Sequence, residues 1–501
     1  MRIINWDTTE KGSKYRRLST YLLLLLALSL VIFVTIKATI SSFTHDESYS
    51  YLRYVGQSII QIFTYDTPFT NNHILNTVFM KYSEMLFGSS EIALRTPNNV
   101  SLIIYLYFTY LLLKDRSFTI ILPVFILMSF SPYLLDFFGL ARGYGISIGF
   151  MIFSLYYLLR FFETDKQKDL VLFNFGALLA ALANFALLDF WLAAIVAFNF
   201  VLFLNSRILN KRTSFKEFLF KYNTINIVFL LFGSVLLYEP LRKIMQLSII
   251  DFGGKSGFAH NTIGTLIIKI FYKIPVGSGT WLGMKIFVLL IVGFVFIVIA
   301  KNVLNKNTSF MQQFKPLIIS NLILILIAFI TIAQHLLFQM DYLMGRFALF
   351  LFPLFILNIG YTLEYFLQKG HKYVSYSIFA FLVILTLVNF SININFKSYL
   401  DWQYDADNKN AVKELMSVYN KDDSNRIDIK LGVNWLFEPG FNFYRKTWEI
   451  DWLLEVDREG VNESDDYSYM FVDDLNEKGL KGTIVFSSEA CNTLLLKNKM
   501  K

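Results

Sequence analysis

The sequence predicts a mainly α-helical, polytopic membrane protein with about eleven transmembrane helices, amphipathic surface helices in the first outer loop and a small C-terminal α/β domain. Composition carries the first part of that expectation. Of 501 residues, 55% are hydrophobic and only 17% charged, against about a quarter charged in soluble domains. Mean hydropathy is +0.48. Apolar windows of spanning length recur up to residue 393, and the charge balance changes sign just after it. The single cysteine, Cys491, excludes an internal disulfide and dithiol redox chemistry. The net charge of +8 fits basic cytoplasmic loops, so no nucleic-acid partner is expected.

The first window, 18–40, follows a basic N-terminus containing Lys11, Lys14, Arg16 and Arg17. It is too long for a signal-peptide core and reads as a retained anchor. Further windows fall at 92–113, 118–135, 145–162, 169–187, 190–205, 223–240, 281–300, 317–338, 347–366 and 374–393. The Lys/Arg-rich connections "KDR" (114–116), "ETDKQKD" (163–169), "SRILNKRTSFKEFLFK" (206–221), "KNVLNKNTSFMQQFK" (301–315) and "QKGHK" (368–372) all fall on one side. The positive-inside rule puts them and the N-terminus in the cytoplasm of a plasma (inner) membrane protein. Loops 41–91, 136–144, 241–280 and 339–346 then face outside, as does the chain after about 394. Loop 241–280 carries five basic residues and departs from the rule, which long loops obey poorly.

Two domains are expected, 1–393 in the membrane and 394–501 outside it. The second holds 20 acidic and 14 basic residues. Its "NAVKELMSVY" (410–419) has helical spacing, and "RIDIKLGV" (426–433) alternates strictly. "YSYMFV" (467–472) and "GTIVFSS" (482–488) read as further strands. No internal repeat of a two-half transporter is visible.

The first outer loop holds the chemistry-bearing residues. Leu52, Val55, Ile59 and Ile62 fall on one helical face, and Leu75, Val78, Tyr82 and Met85 on another. Both predict helices lying on the membrane surface. In "THDES", Thr44 and Glu47 form an S/T-x-x-E capping box, and acids suit a first helical turn. Asn71 and Asn72 would cap the second helix. The same loop, however, gathers the carboxylates Asp46 and Glu47, the amides Asn71 and Asn72, and His73. Arg142 and Tyr144 in "DFFGLARGYG" (136–145) and Arg346 in "MDYLMGRF" (340–347) stand at two outer helix mouths. Each arginine alone would be an anchor beside interfacial tyrosines. Together with a carboxylate they are what loss of a phosphate leaving group requires.

At these residues the chain resembles the GT-C class of polytopic glycosyltransferases. "NNHILNTVFMKYSEMLFGSSEIALRTPNNV" (71–100) is similar to that class's "NxHPLY…FGxSExALRxPS", with Ile74 standing where the class has proline. "ARGYG" (141–145) and "GRF…LFLFPLF" (345–355) are similar as well. Protein O-mannosyltransferases, aminoarabinose transferases and bacterial envelope mannosyltransferases share this plan. The resemblance implies transfer of a hexosyl group from a polyprenyl-phosphate donor to a glycan, lipid or protein hydroxyl on the outer face, with inversion.

Under that resemblance Asp46 is the expected general base. Its neighbour Glu47 is the structural member of the carboxylate pair. Arg142 and Arg346 would take the donor phosphate, with Asn71, Asn72, His73 and Tyr144 around it. Lys255 in the Gly-rich "DFGGKSGFAHN" (251–261) would close over the donor. His73 and His260 would assist or hold a divalent metal. No other cofactor is implied. Two rival readings remain open at this point. One is a lipid-linked sugar transporter or flippase, which needs mid-span ionisable residues, with Asp189 and Glu364 as the candidates. The other is a polysaccharide polymerase or ligase using outer arginines without an acid.

Overall fold

A computed structural model describes residues 10–208, 215–246, 253–274, 277–421 and 428–499. Part of the expected basic loop (209–214) and residues Asp251, Phe252, Arg426 and Ile427 lie outside them. Helix Glu10–Ile40 opens the described chain. Leu23, Leu30, Val34 and Ala38 pack inward from it, while Leu24, Leu25 and Leu28 are exposed. One apolar stripe thus meets protein and the other is left for lipid.

Among the described residues, seven helices are long and apolar enough to cross a membrane: Leu18–Ile40, Gly143–Thr164, Leu187–Ser206, Phe218–Gln246, Ser278–Leu304, Lys315–Phe338 and Lys372–Asn393. Phe118–Ser129 and Pro132–Gly139 make an eighth if counted as one broken span bent by 61°. Three other expected spans are helices too, Glu91–Leu113, Gln167–Ala183 and Leu351–Gln368. They fall outside the seven on length and composition, so a count of eleven is not established. The expected span 118–135 is the one whose shape differs. Phe130 leaves helical geometry, and Pro132, which has no N–H to donate, restarts the helix at its first turn. The bend directs the chain toward Arg142.

The loop after the first span also departs from expectation. A single helix through Asp46 to Ile62 is replaced by His45–Ser50, a wide turn Tyr51–Val55 and a separate helix Ile59–Thr64. Ser58 starts the last of these through a reciprocal cap with Gln61, so the chain breaks at Gly56–Ser58. The second expected helix is Ile74–Phe87, with His73 at its N-cap position, making no side-chain cap bond, and neither asparagine capping it. Its first half is packed in protein (Leu75 is buried), while Tyr82, Met85, Leu86 and Phe87 at its end are exposed. Only that end presents an apolar surface to a membrane interface.

Beyond the last span, helix Asn408–Lys421 appears where expected. The sheet has four strands: β1 Leu431–Val433, β2 Tyr467–Phe471, β3 Gly482–Ser488 and β4 Thr493–Asn498, in the order β1-β2-β4-β3. β1 and β2 are parallel and the other pairs antiparallel. Helix Glu438–Thr447 and β4 were not expected from the sequence. Val412, Leu415, Val433, Phe441, Tyr469 and Leu495 form one hydrophobic core together with Phe43, Tyr51, Val55, Met80 and Leu94. The compositional boundary near residue 394 is therefore crossed by continuous packing.

Candidate active site

Glu47 comes first, because it organises the rest. Its Oε2 accepts from the Thr44 N–H at 3.0 Å and the Thr44 hydroxyl at 2.9 Å. Arg95 donates Nε to Oε1 at 2.8 Å and Nη2 to Oε2 at 2.6 Å. The remaining guanidinium donors reach the carbonyls of Ala38, Ser41 and Ser42 at 2.7–2.9 Å. Both side chains are fully buried. Every donor of Arg95 is therefore matched, the condition under which a buried pair holds. A last bond runs from the Ala141 N–H to Glu47 Oε1 at 2.6 Å. This engaged carboxylate ties the end of the first span to helix Glu91–Leu113 and to the turn at Ala141. Its two oxygens already accept five hydrogen bonds and have no capacity left for substrate.

Because Ala141 is held there, the next residue, Arg142, falls over Asp46. Arg142 Nη2 lies 3.4 Å from Asp46 Oδ2. Its Nη1 donates to Ser50 Oγ at 3.1 Å, to the Asn71 carbonyl at 3.3 Å and to the Asp46 carbonyl at 3.4 Å. Arg346 approaches from a short turn, Gly345–Ala348, and also places Nη2 3.4 Å from Asp46 Oδ2. Its guanidinium stacks on Trp402 at 4.8 Å and lies 3.7 Å from Asp401. Burial pushes the Asp46 carboxyl up, but Arg142 and Arg346 outweigh it and hold it below the usual carboxylate range. Both contacts are longer than the 2.7–2.9 Å of a tight charge-assisted bond. Among the described residues, the buried Nε atoms of both arginines have no partner. The pair thus keeps donors in reserve around one carboxylate, an arrangement suited to an arriving anion.

The remaining candidates divide. Asn71 donates to the Asp46 carbonyl at 3.1 Å and belongs to the cluster. Asn72 instead braces the loop, donating to Ile62 and accepting from Thr77. His73 Nδ1 lies 2.9 Å from the Ala183 carbonyl, an acceptor only, so the proton sits on Nδ1. Burial and the nearby Arg142 keep the ring neutral, and its Nε2 has no partner among the described residues. Tyr144 packs edge-on to His73 at 5.0 Å and against Phe347 at 6.1 Å, linking the two arginine turns. Lys255 and His260 are exposed, and no hydrogen bond or ion pair among the described residues brings either to Asp46. Gly254 does bridge to Tyr342, on the segment leading to Arg346.

Several residues here escaped the sequence reading. Lys269 pairs with Asp401 at 2.6 Å, Tyr133 donates to the same carboxylate at 3.2 Å, and Trp402 forms the platform under Arg346. "SYLDWQYD" (398–405) sets acids and aromatics a few residues past a span, as "FTHDESYS" (43–50) does. That echo was the available signal. Arg95 was in view within "ALRTP" but had no stated role.

The chemistry does not fit a divalent ion. Among the described residues no three His, Cys, Asp or Glu side chains gather as a metal site. Asp46 already faces two guanidinium groups, and His73 and His260 share no contact. The two ionisable residues named for the transporter reading both have partners. Glu364 is gripped by Arg116 at 2.6 and 2.7 Å, and Asp189 accepts from Gln334 at 2.8 Å.

No family model and no curated protein matches the chain. Among solved structures it is similar to ArnT from Cupriavidus metallidurans bound to undecaprenyl phosphate, with 11% identity and a TM-score of 0.40 over 95% of this chain and 97% of that one. It is also similar to the Archaeoglobus fulgidus oligosaccharyltransferase in complex with Zn and sulfate, with 12% identity and a TM-score of 0.44 over 90% and 68%. Likeness at this level leaves the functional reading to the site.

Proposed function

We propose that the protein is a membrane glycosyltransferase that moves a sugar from a polyprenyl-phosphate donor to an acceptor hydroxyl at the outer face, with Asp46 as general base. The observation that carries this reading is the single carboxylate set between two loosely engaged arginines at the mouths of membrane helices. The neighbour bound to undecaprenyl phosphate is compatible with it. An arginine pair without a carboxylate would have fitted the polymerase or ligase reading better. The N-terminus would lie in the cytoplasm and the C-terminal region outside.

In the resting site the two arginines neutralise Asp46. A donor phosphate would take over their Nε and Nη donors, with Lys269 close by, and loosen their hold on the carboxylate. Relieved of that charge, Asp46 moves toward the ordinary carboxylate range and becomes a better base. It then takes the proton of the acceptor hydroxyl as that oxygen bonds to the anomeric carbon. The bond to the phosphate oxygen breaks, polyprenyl phosphate leaves with the electron pair, and configuration inverts. Preorganised guanidinium groups contribute most by stabilising the departing charge.

Asp46→Asn tests the reading. Transfer should fall by about 10²–10⁴-fold, the usual share of general-base catalysis, while binding of undecaprenyl phosphate to the purified protein is kept or tightened. Wild-type transfer by the variant would remove Asp46 as the base.

A further inference from the structure

Beside the helix that carries Asp46, a cleft of about 880 Å³ opens between the first outer loop and the region after the last span. Tyr49 and Arg53 line one wall, and Glu438, Arg445, Glu455 and Arg458 are on the other. Tyr49 follows Asp46 by three residues, a rise of about 4.5 Å along the helix, so the cleft begins one helical turn from the proposed base. The volume lies within the usual range for ligand sites of about 300–1,000 Å³.

The wall chemistry limits what it takes. Four basic and five acidic side chains line it, so opposite charges nearly cancel. A polyphosphate or a polybasic chain would meet as many like charges as opposite ones. A lipid tail would find the apolar patches of the wall, at Leu52, Pro439, Ile450 and Val456, interrupted by nine charged side chains. Several groups also have unused capacity. Arg458 pairs with Glu438 at 2.9 Å and lies 5.9 Å over the Tyr49 ring, and Asn442 donates to Glu438. By contrast, no hydrogen bond or ion pair among the described residues engages the side chains of Arg53 and Glu455. Planar donors and acceptors interleaved beside an aromatic ring match a neutral ligand dense in hydroxyl groups, each of which both donates and accepts.

We infer that this cleft is the acceptor site and that it takes a neutral, water-soluble oligosaccharide chain, in place of a lipid or a protein. The inference rests on the glycosyltransferase reading and narrows its acceptor. The sugar chain lies across Tyr49 and between the Arg53 and Glu455 walls, and its terminal hydroxyl reaches Asp46.

The test compares cells carrying the wild-type protein, no protein, Asp46→Asn, or the charge-neutral double variant Arg53→Ala with Glu455→Ala. Their envelopes are separated into organic-soluble lipid, protease-sensitive protein and water-soluble glycan, and each fraction is analysed by mass spectrometry. An added sugar that depends on Asp46 should appear in the water-soluble glycan. The double variant should reduce it about tenfold, the effect of losing one good contact of about 1.4 kcal/mol, with membrane abundance and undecaprenyl-phosphate binding unchanged. An Asp46-dependent sugar in the lipid or protein fraction overturns the acceptor assignment and leaves the enzyme reading standing. The same follows from full glycan product in the double variant. If no fraction changes with Asp46, the enzyme reading itself fails.

Discussion

Two adjacent carboxylates in "THDES" have opposite fates, and their partners decide which. Glu47 meets five donors, from Thr44, Arg95 and Ala141, whereas Asp46 meets two guanidinium groups at 3.4 Å. Glu47→Gln keeps the shape and removes the charge, leaving Arg95 buried and unpaired. A loss of about 3–5 kcal/mol is expected, read as a lower thermal midpoint in detergent. Adding Arg95→Met should return part of it. A nearby acid behaves differently again. Asp405 accepts from the His45 N–H at 2.6 Å and from Asn408 at 2.9 Å. Burial, with Asp46 and Glu47 nearby, pushes its carboxyl well above the ordinary range. The folded state then binds a proton that the unfolded chain releases near its ordinary pKa of about 3.9, so stability falls as pH rises from there through the raised value. Asp405→Asn removes that penalty, and the unpartnered Oδ1 of Asn408 can accept from the new amide. The variant should melt higher than wild type at about pH 8 and equally near pH 4.

At the scale of elements, two glycines separate required space from incidental flexibility. A Cβ on Gly143, the first residue of helix Gly143–Thr164, would stand 1.9 Å from the Ala183 carbonyl and 2.7 Å from the His73 ring. Gly143→Ala should therefore displace Arg142 and His73 together and abolish transfer, with a lowered melting midpoint. Gly56, at the break after Tyr51–Val55, has φ −68°, and a methyl group added there would meet no atom within 4 Å. Gly56→Ala should stabilise by about 0.4–1 kcal/mol through the unfolded chain and leave transfer unchanged. The break at Gly56–Ser58 was hidden from periodicity, because Leu52, Val55, Ile59 and Ile62 keep their spacing across it. Local capping by Ser58 and Gln61 outweighs the continuing apolar pattern. Pro132 had the same effect on the span 118–135.

For the whole molecule, the region after 393 is part of the site as well as an appendage to it. It supplies Asp401 and Trp402 to Arg346 and Asp405 to the start of the Asp46 helix. Lys409 and Tyr444 reach Glu91 at 2.7 and 3.1 Å. A chain ending at residue 393 would strip the cover from Phe43, Tyr51 and Leu94. It should reach the membrane yet melt earlier than the full chain and transfer no sugar. Wild-type melting and transfer by that truncation would show the shared core to be dispensable.

Hydropathy, charge alternation and helical spacing are local properties, and what the sequence determined alone follows from them: a polytopic helical chain, an acidic region with strands after the last span, and acids and arginines collected in loops between spans. Which residues meet depends on contacts between segments hundreds of positions apart, such as Asp46 with Arg346, 300 positions on, and no local pattern encodes these. The tertiary structure therefore decided that Glu47 belongs to Arg95 and Asp46 to two arginines. It also drew in Lys269, Asp401 and Trp402, and gave Lys255 and His260 no hydrogen bond or ion pair to Asp46 among the described residues, the loop they lie on being tied to Tyr342 through Gly254.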